Sequence, residues 1–287
     1  MALVEYSDSE SESSAEPSPP PPAKKARKNT TPSDIPPLPA AFHDLYATST
    51  RVSVSDDPSL HGGRKRAIPH VEGNWPTHLY LEWYPSNEEF ALLSDTISQM
   101  RAQLGKASPE PEIHSLLRSD LGVRLPLHIS LSRPVVLRTE QRQSFTTAFQ
   151  TAIRKSNIEA VTTTVETLDC VSNFEKTRWF YVLRVNRPAD DSLNRLLGLS
   201  NRSLALFDQP PLYAKSTDVD RKQVSGHPSG DYSRCFHISL AWSLTEPSLE
   251  ARERIASMDL RSLGDLDIRF DCVKAKIGNQ ISSIPLS

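Results

Sequence analysis

The hydrophobic and polar positions of the chain follow two periods, which predict strands and helices in mixed order. Strands are predicted where apolar residues recur at every second position, and helices where they recur every three to four positions. The predicted strands are 77–84, 126–136, 164–173, 178–185, 235–244, 268–277 and 280–285, and the predicted helices are 87–104, 139–155, 190–207 and 248–258. Because strands and helices interleave, the pattern indicates an α/β or α+β domain.

The tetrapeptide His-Ile-Ser-Leu occurs twice, at residues 128–131 and 237–240, each time inside a predicted strand. Alternate residues of a strand face the same side, so each copy places an imidazole and a hydroxyl on one face, with Ile and Leu on the other. The two halves of the chain also have similar predicted elements. The sequence therefore predicts two pseudo-symmetric lobes with a cavity between them, lined by both copies.

The polar residues of the two copies are suited to acid–base chemistry on a phosphodiester. One of His128 and His237 can accept a proton while the other donates one, and histidine titrates near neutral pH. The hydroxyls of Ser130 and Ser239 can hold phosphate oxygens. RNA supplies its own nucleophile, the 2′-hydroxyl, so no metal is required. Two histidines could instead bind zinc, but no third ligand recurs with them.

Composition separates an N-terminal tail from the folded part and bears on localisation. Residues 1–60 are rich in Ser, Pro and acids, a composition that predicts disorder, and a basic cluster at 24–28 is either a nuclear import signal or a solvated charge run. The net charge is −2, no apolar run approaches the ~18 residues of a membrane span, and the three cysteines lack metal-ligand spacing. We expect a cytosolic or nuclear protein with reduced thiols.

The paired His-x-Ser strands resemble those of the two-histidine phosphoesterase superfamily, and further segments narrow the resemblance. These segments are His61-Gly62-Gly63-Arg64, Gly73-Asn74-Trp75, Thr77-His78-Leu79-Tyr80, Leu127 to Ser132, Val135 to Arg138, Phe236 to Trp242, Lys276-Ile277-Gly278-Asn279 and Ile284-Pro285-Leu286. Together they resemble the U6 snRNA phosphodiesterase family, in its fungal form, from about residue 61 to residue 286.

The resemblance implies an α+β fold with two antiparallel sheets, flanking helices and a central cleft, spanning residues 61–287. It implies His128 and His237 as catalytic residues, Ser130 and Ser239 as phosphate-binding residues, and Tyr232 as the residue that stacks on a base. It also implies a nuclear, monomeric 3′–5′ exoribonuclease without metal or cofactor. Its substrate would be the single-stranded 3′ end of U6 snRNA, left with a 2′,3′-cyclic phosphate or a 3′-phosphate.

Several alternatives stay open at this stage. The chain could catalyse another two-histidine reaction on 2′,3′-cyclic phosphates or RNA ends, or it could be a non-catalytic RNA-binding module. Tyr232 could be a loop anchor, with Tyr213 or His227 as the stacking residue instead. Arg64, Lys65 and Arg66 could meet RNA phosphates or form a solvated run. The residues do not decide which histidine is the base, or whether a cyclic phosphate product is opened.

Overall fold

The computed structural model describes residues 71–105, 111–173, 175–213 and 230–287. Four sequence-based predictions lie outside these residues: the disorder of the tail 1–60, the import signal at 24–28, RNA contacts by residues 64–66, and stacking by His227.

The elements alternate between strands and helices, as the hydrophobic pattern predicts. The strands are β1 (Asn74–Trp83), β2 (His114–Ser115), β3 (Leu127–Ser130), β4 (Val135–Arg138), β5 (Val161–Thr163), β6 (Val165–Ser172), β7 (Trp179–Val185), β8 (His237–Ser243), β9 (Ile268–Phe270), β10 (Cys272–Ile277) and β11 (Gln280–Pro285). The α-helices are α1 (Asn87–Leu104), α2 (Arg142–Lys155), α3 (Ser192–Ala205), α4 (Leu249–Ala256) and α5 (Arg261–Gly264). Short 3-10 helices cover Thr139–Gln141 and Ser233–Cys235.

Nine of these strands form one antiparallel sheet, in the order β11-β10-β1-β3-β8-β7-β6, with β4 paired to β1 and β2 paired to β8. Strands β5 and β9 form a separate two-stranded sheet. The two His-x-Ser strands, β3 and β8, are neighbours at the centre of the large sheet. The two antiparallel sheets implied by the resemblance are therefore continuous, joined edge to edge where β3 meets β8.

Helix α1 begins and ends at the residues that the sequence predicts. Ser86 caps its N-terminus, because its hydroxyl accepts a hydrogen bond from Glu89 N while the Glu89 carboxylate accepts one from Ser86 N. This reciprocal pair satisfies two backbone donors that a helix start would otherwise leave free. Phe90, Leu93 and Ile97 lie on the buried stripe of the helix.

The predicted strand 126–136 is two strands, β3 and β4, separated by residues 131–134. Both pair with β1, β3 with its second half and β4 with its first. Between them, the Leu79 carbonyl accepts hydrogen bonds from both Leu131 N and Ser132 N, and the Ser132 hydroxyl accepts one from Leu79 N at 2.9 Å. A side chain thus replaces a strand partner here, and Pro134 has no N–H to continue the ladder.

One hydrophobic core lies on the face of the large sheet opposite the His-x-Ser residues. Ile129 and Ile238 are 0% exposed, and the same face of β1 and β10 is also buried. Helix α2 packs against α3, and α1 against α4. The hairpin between β10 and β11 turns at Gly278, which has a φ of +59° and lies against the ring of Trp75, so a side chain there would clash. Helices and core therefore leave the opposite face of β3 and β8 for chemistry.

Candidate active site

The register between β3 and β8 brings the two His-Ile-Ser-Leu copies together. The strands are antiparallel, and Ile129 is the residue paired with Ile238. Residues directly opposite each other in an antiparallel pair share a face of the sheet. His128 therefore lies opposite Ser239, with both side chains on the face away from the core.

The same register places Ser130 opposite His237, so the four predicted residues form one cluster. Each imidazole has the hydroxyl of the other copy as its cross-strand neighbour, at a spacing of about 5 Å between Cβ atoms. Ser130, His237 and Ser239 are half-buried, and His128 is exposed. The cluster is therefore open to a substrate, and it offers two imidazoles and two hydroxyls to a single phosphate.

The ring of His237 is held in one tautomer by its own chain. Its Nδ1 lies 2.7 Å from the carbonyl oxygen of Cys235, and since a carbonyl only accepts, Nδ1 carries the proton. In the neutral ring, Nε2 is then the nitrogen with the free lone pair. Burial lowers the pKa of His237, and the nearby Arg184 lowers it further. The hydrogen bond with the Cys235 carbonyl has the opposite effect and raises this pKa.

His128 is also neutral near neutral pH, although its side chain reaches solvent. Protein atoms around the ring still remove much of its hydration, and this burial, together with the nearby His237, lowers the pKa of His128 to about 4. The ring meets those of Tyr80 and His78 edge-on, with centroids 5.5 Å and 5.4 Å away. The imidazoles of His128 and His237 are therefore both neutral at neutral pH, and each can accept a proton.

A third histidine, His78 on β1, belongs to the site, although the sequence analysis assigns no role to it. Its Nε2 lies 3.1 Å from the hydroxyl oxygen of Ser130. Burial, followed by His128 and Lys276, lowers the pKa of His78 to about 3. A single histidine on an amphipathic strand gives no signal of its own, and only the register of β1 with β3 brings it to Ser130.

Charged residues surround the cluster on both sides. Lys276 pairs with His78 across β10 and β1, and Arg184 pairs with His237 across β7 and β8. Glu82 lies opposite His128, and its carboxylate accepts from the Lys274 ammonium at 3.3 Å. Both side chains of that ion pair are nearly buried, at 7% and 11% exposed. The site face therefore has a net excess of cationic side chains, which suits a phosphodiester anion.

Tyr232 lies at the start of the 3-10 helix that leads directly into His237. Its ring is half-buried and stacks on that of Tyr213, with centroids 6.3 Å apart, and its backbone N–H donates to Asn194 Oδ1 at 3.0 Å. The Tyr213 hydroxyl donates to the Cys235 carbonyl at 3.1 Å. Of the two tyrosines that the sequence offers for base stacking, Tyr213 is thus engaged through its hydroxyl inside the protein.

The described residues were compared with the requirements of a metal site and of a membrane-spanning helix. Among them, no group of three or more His, Cys, Asp or Glu side chains is placed to hold a metal ion. Helices long and apolar enough to cross a membrane are likewise absent from the described part of the chain.

Comparisons with known proteins agree with the geometry. A family model described as "HVSL: Uncharacterised conserved protein" matches residues 36–285. The chain is 33% identical to U6 snRNA phosphodiesterase 1 of Neurospora crassa over 296 residues, covering 92% of this chain and 77% of that protein. It is 30% identical to U6 snRNA phosphodiesterase 1 of Mus musculus over 298 residues, covering 99% of this chain and 98% of that protein.

A solved structure is similar to about three quarters of this chain. It is that of Kluyveromyces marxianus Usb1, with a TM-score of 0.56 and 18% sequence identity, covering 74% of this chain and 98% of that chain. At this identity the likeness concerns the fold. The predicted α+β phosphoesterase fold is confirmed.

Proposed function

The chain belongs to the family of the U6 snRNA phosphodiesterases, and we propose that it is a metal-independent 3′–5′ RNA exonuclease that shortens the 3′ oligouridine tail of U6 snRNA. The observation that carries this proposal is the pairing of Ile129 with Ile238, which places both His-x-Ser sets on one face. Nothing else in the described chain combines two imidazoles with two hydroxyls in this way.

The reaction uses groups that the site and the RNA already hold. One imidazole removes the proton of the penultimate 2′-hydroxyl, whose oxygen attacks the adjacent phosphorus. The bond from phosphorus to the 5′-oxygen of the terminal nucleoside breaks, and the second imidazole, in the protonated form that the bound phosphate anion favours, protonates that oxygen. The products are a free nucleoside and an RNA with a 2′,3′-cyclic phosphate. Opening of this ring by water would give a 3′-phosphate.

The two serines support this step in different ways. Within the described residues, the Ser239 hydroxyl makes no hydrogen bond and is free to donate to a non-bridging phosphate oxygen. The Ser130 hydroxyl is shared with His78 at 3.1 Å, so its orientation is fixed before substrate arrives. Preorganised donors of this kind stabilise the charge that develops on phosphate oxygens in the transition state.

The RNA partner and the location follow from the same proposal. The substrate is a single-stranded RNA 3′ end, Tyr232 stacks on its terminal base, and the enzyme acts as a monomer in the nucleus. Base stacking tolerates any base, so we expect a preference for uridine with adenosine accepted. The import signal that supports the nuclear location, Lys24 to Lys28, lies outside the described residues.

The test is a trimming assay with the purified full chain, a 3′-uridylated RNA and excess EDTA. We expect the RNA to shorten from its 3′ end, and His128→Ala and His237→Ala to slow the reaction by roughly 10²–10⁴-fold. His114→Ala is the matched control, because His114 stacks on Trp242 with centroids 4.2 Å apart and has no part in the cluster. Mass spectrometry of the 3′ end identifies the product.

Two results would refute the proposed chemistry. Activity lost in EDTA and restored by zinc or magnesium would indicate a metalloenzyme. Rapid trimming of an RNA that is 2′-deoxy at the penultimate nucleotide would mean that water attacks directly, because that substrate lacks the internal nucleophile.

A further inference from the structure

The backbone carbonyl of Cys235 accepts hydrogen bonds from three side chains. They are His237 Nδ1 at 2.7 Å, the Tyr213 hydroxyl at 3.1 Å and Arg184 Nη1 at 3.2 Å. A carbonyl oxygen has two lone pairs, so three donors saturate it. This oxygen is in the 3-10 turn that leads into β8, and it is the group that fixes the tautomer of His237.

Arg184 is placed at this carbonyl by the sheet and held there by a carboxylate. It is the residue paired with His237 across β7 and β8, so both side chains share the site face. Its Nε and Nη2 donate to Asp169 Oδ2 on β6, at 3.0 Å and 2.8 Å. These bonds leave Nη1 directed at Cys235, and the Arg184 side chain is only 20% exposed. The guanidinium is therefore fixed at both ends.

The charged groups around His237 determine how readily its ring is protonated. Arg184 faces it from β7 and Asp169 from β6, while Ser130 and His128 face it from β3. Burial raises the pKa of Tyr213 above its usual range, so its hydroxyl remains a donor. Arg184 opposes protonation of His237, and Asp169 favours it.

We propose that Arg184 is a positioning residue for His237, which it holds through the Cys235 carbonyl in the tautomer that presents Nε2 to the RNA, with Asp169 as its anchor. This inference rests on the proposed role of His237 in proton transfer. It does not depend on whether His237 is the base or the acid, because either role uses Nε2.

The experiment compares Arg184→Met and Arg184→Lys with the unchanged full chain, measuring kcat from about pH 5 to 9 on a 3′-uridylated RNA. We expect Arg184→Met to lower kcat roughly 10–100-fold, the loss seen when a partner that orients a metal-binding histidine is removed. One limb of the pH–rate profile should move to higher pH, because the cation that opposes protonation of His237 is gone. Arg184→Lys should recover part of both effects.

Two further readouts separate positioning from a general loss of structure. The His237 ring, followed by NMR, should titrate at higher pH in Arg184→Met and populate both neutral tautomers. Binding of an uncleavable RNA, 2′-deoxy at the penultimate nucleotide, should stay within about threefold, because the Arg184 charge is already compensated by Asp169 and Lys276 remains as the cation in excess at the site. Arg269→Met is the matched control, because Arg269 lies on β9 in the other sheet and its ion pair with Asp271 is exposed.

The outcomes are distinct. The inference is wrong if Arg184→Met folds and neither the limb of its pH–rate profile nor the pKa of its His237 ring differs from that of the unchanged chain. If His237→Ala keeps full turnover, the proposed function itself is wrong. Should Arg184→Met not fold, Asp169→Asn takes its place, since it frees the guanidinium without removing it; a pH profile unchanged in this variant would also refute the inference.

Discussion

The pKa values of His128 and His237 determine the protonation state that free enzyme offers to RNA. Burial lowers both below the usual value of 6.5, that of His128 to about 4. The proposed reaction needs one imidazole neutral and the other protonated. Below both pKa values there is no base, and above both there is no acid, so kcat/KM is highest between them. We expect this maximum on the acidic side of pH 6.5.

The measurement is kcat/KM on a short oligouridine RNA across the acidic and neutral range, with kcat at saturation as its internal control. The bound phosphodiester is an anion beside both rings and raises their pKa values, so the kcat maximum should lie at higher pH than that of kcat/KM. A kcat/KM maximum on the alkaline side of neutrality would show that the free imidazoles are not neutral as the structure indicates.

The second prediction at the level of a single side chain concerns Tyr232. If its ring stacks on the terminal base, Tyr232→Ala should lose roughly 1–3 kcal/mol of substrate interaction, and Tyr232→Phe much less, because the π-face remains. The measurement is kcat/KM for each variant on oligouridine RNA. Equal and severe losses in both variants would assign the role to the hydroxyl instead. Normal kinetics in both would move the stacking residue elsewhere.

The site residues that could be predicted from the sequence are those of the repeated tetrapeptide. His128, Ser130, His237 and Ser239 could be predicted because an identical tetrapeptide occurs twice. His78 and Arg184 could not, since each occurs once on an amphipathic strand and has no local signal. Their place in the site comes from strand register, which is set by long-range pairing with β3 and β8.

Strands β1 and β10 carry a nearly buried ion pair, Lys274 with Glu82, on the site face. Removing one partner of a buried pair leaves an uncompensated charge and typically costs roughly 3–5 kcal/mol of folding free energy. We expect Lys274→Met to lower the free energy of unfolding by that amount in urea titrations. Glu82 lies directly opposite His128 on the neighbouring strand, so turnover should fall as well.

The matched comparison uses an exposed pair and a double variant. Arg269→Met, which breaks a pair whose side chains are 63% and 71% exposed, should change stability by no more than about 1 kcal/mol. Glu82→Gln combined with Lys274→Met should recover much of the loss, since no buried charge remains. Equal stability of Lys274→Met and the unchanged protein would mean that solvent already compensates the Glu82 carboxylate.

At the level of elements, local signals set what the sequence could predict. The bounds of α1 could be predicted because Ser86 and Glu89 form a capping box and an apolar stripe follows. The interruption between β3 and β4 could not, since it depends on the Ser132 hydroxyl accepting from Leu79 N on another strand. The split of 268–277 between two sheets is likewise a consequence of tertiary pairing, β9 with β5 and β10 with β1.

The large sheet relates the duplicated sequence to the single site. From the pair of Ile129 with Ile238, the sheet continues on one side through β3, β1, β10 and β11, and on the other side through β8, β7 and β6. In the proposed reaction, a phosphate at this seam contacts both copies of the tetrapeptide at once. Both copies are then needed, because the acid and the base come one from each copy.

The extent of the catalytic domain is the last prediction, and two N-terminal truncations test it. Composition predicts a disordered tail up to residue 60, whereas the family match begins at residue 36. We expect a chain that begins at Ile35 and one that begins at Leu60 to trim 3′-uridylated RNA with the turnover of the full chain, because His128, His237 and the sheet that aligns them lie beyond both cuts. Both truncated chains lack Lys24 to Lys28 and should fail to accumulate in the nucleus when fused to a fluorescent reporter. Full turnover from Ile35 with loss from Leu60 would move the domain boundary to the start of the family match, since residues between 36 and 60 would then support the site. Nuclear accumulation of both truncated chains would remove the role of the basic cluster in import and leave the enzyme activity unaffected.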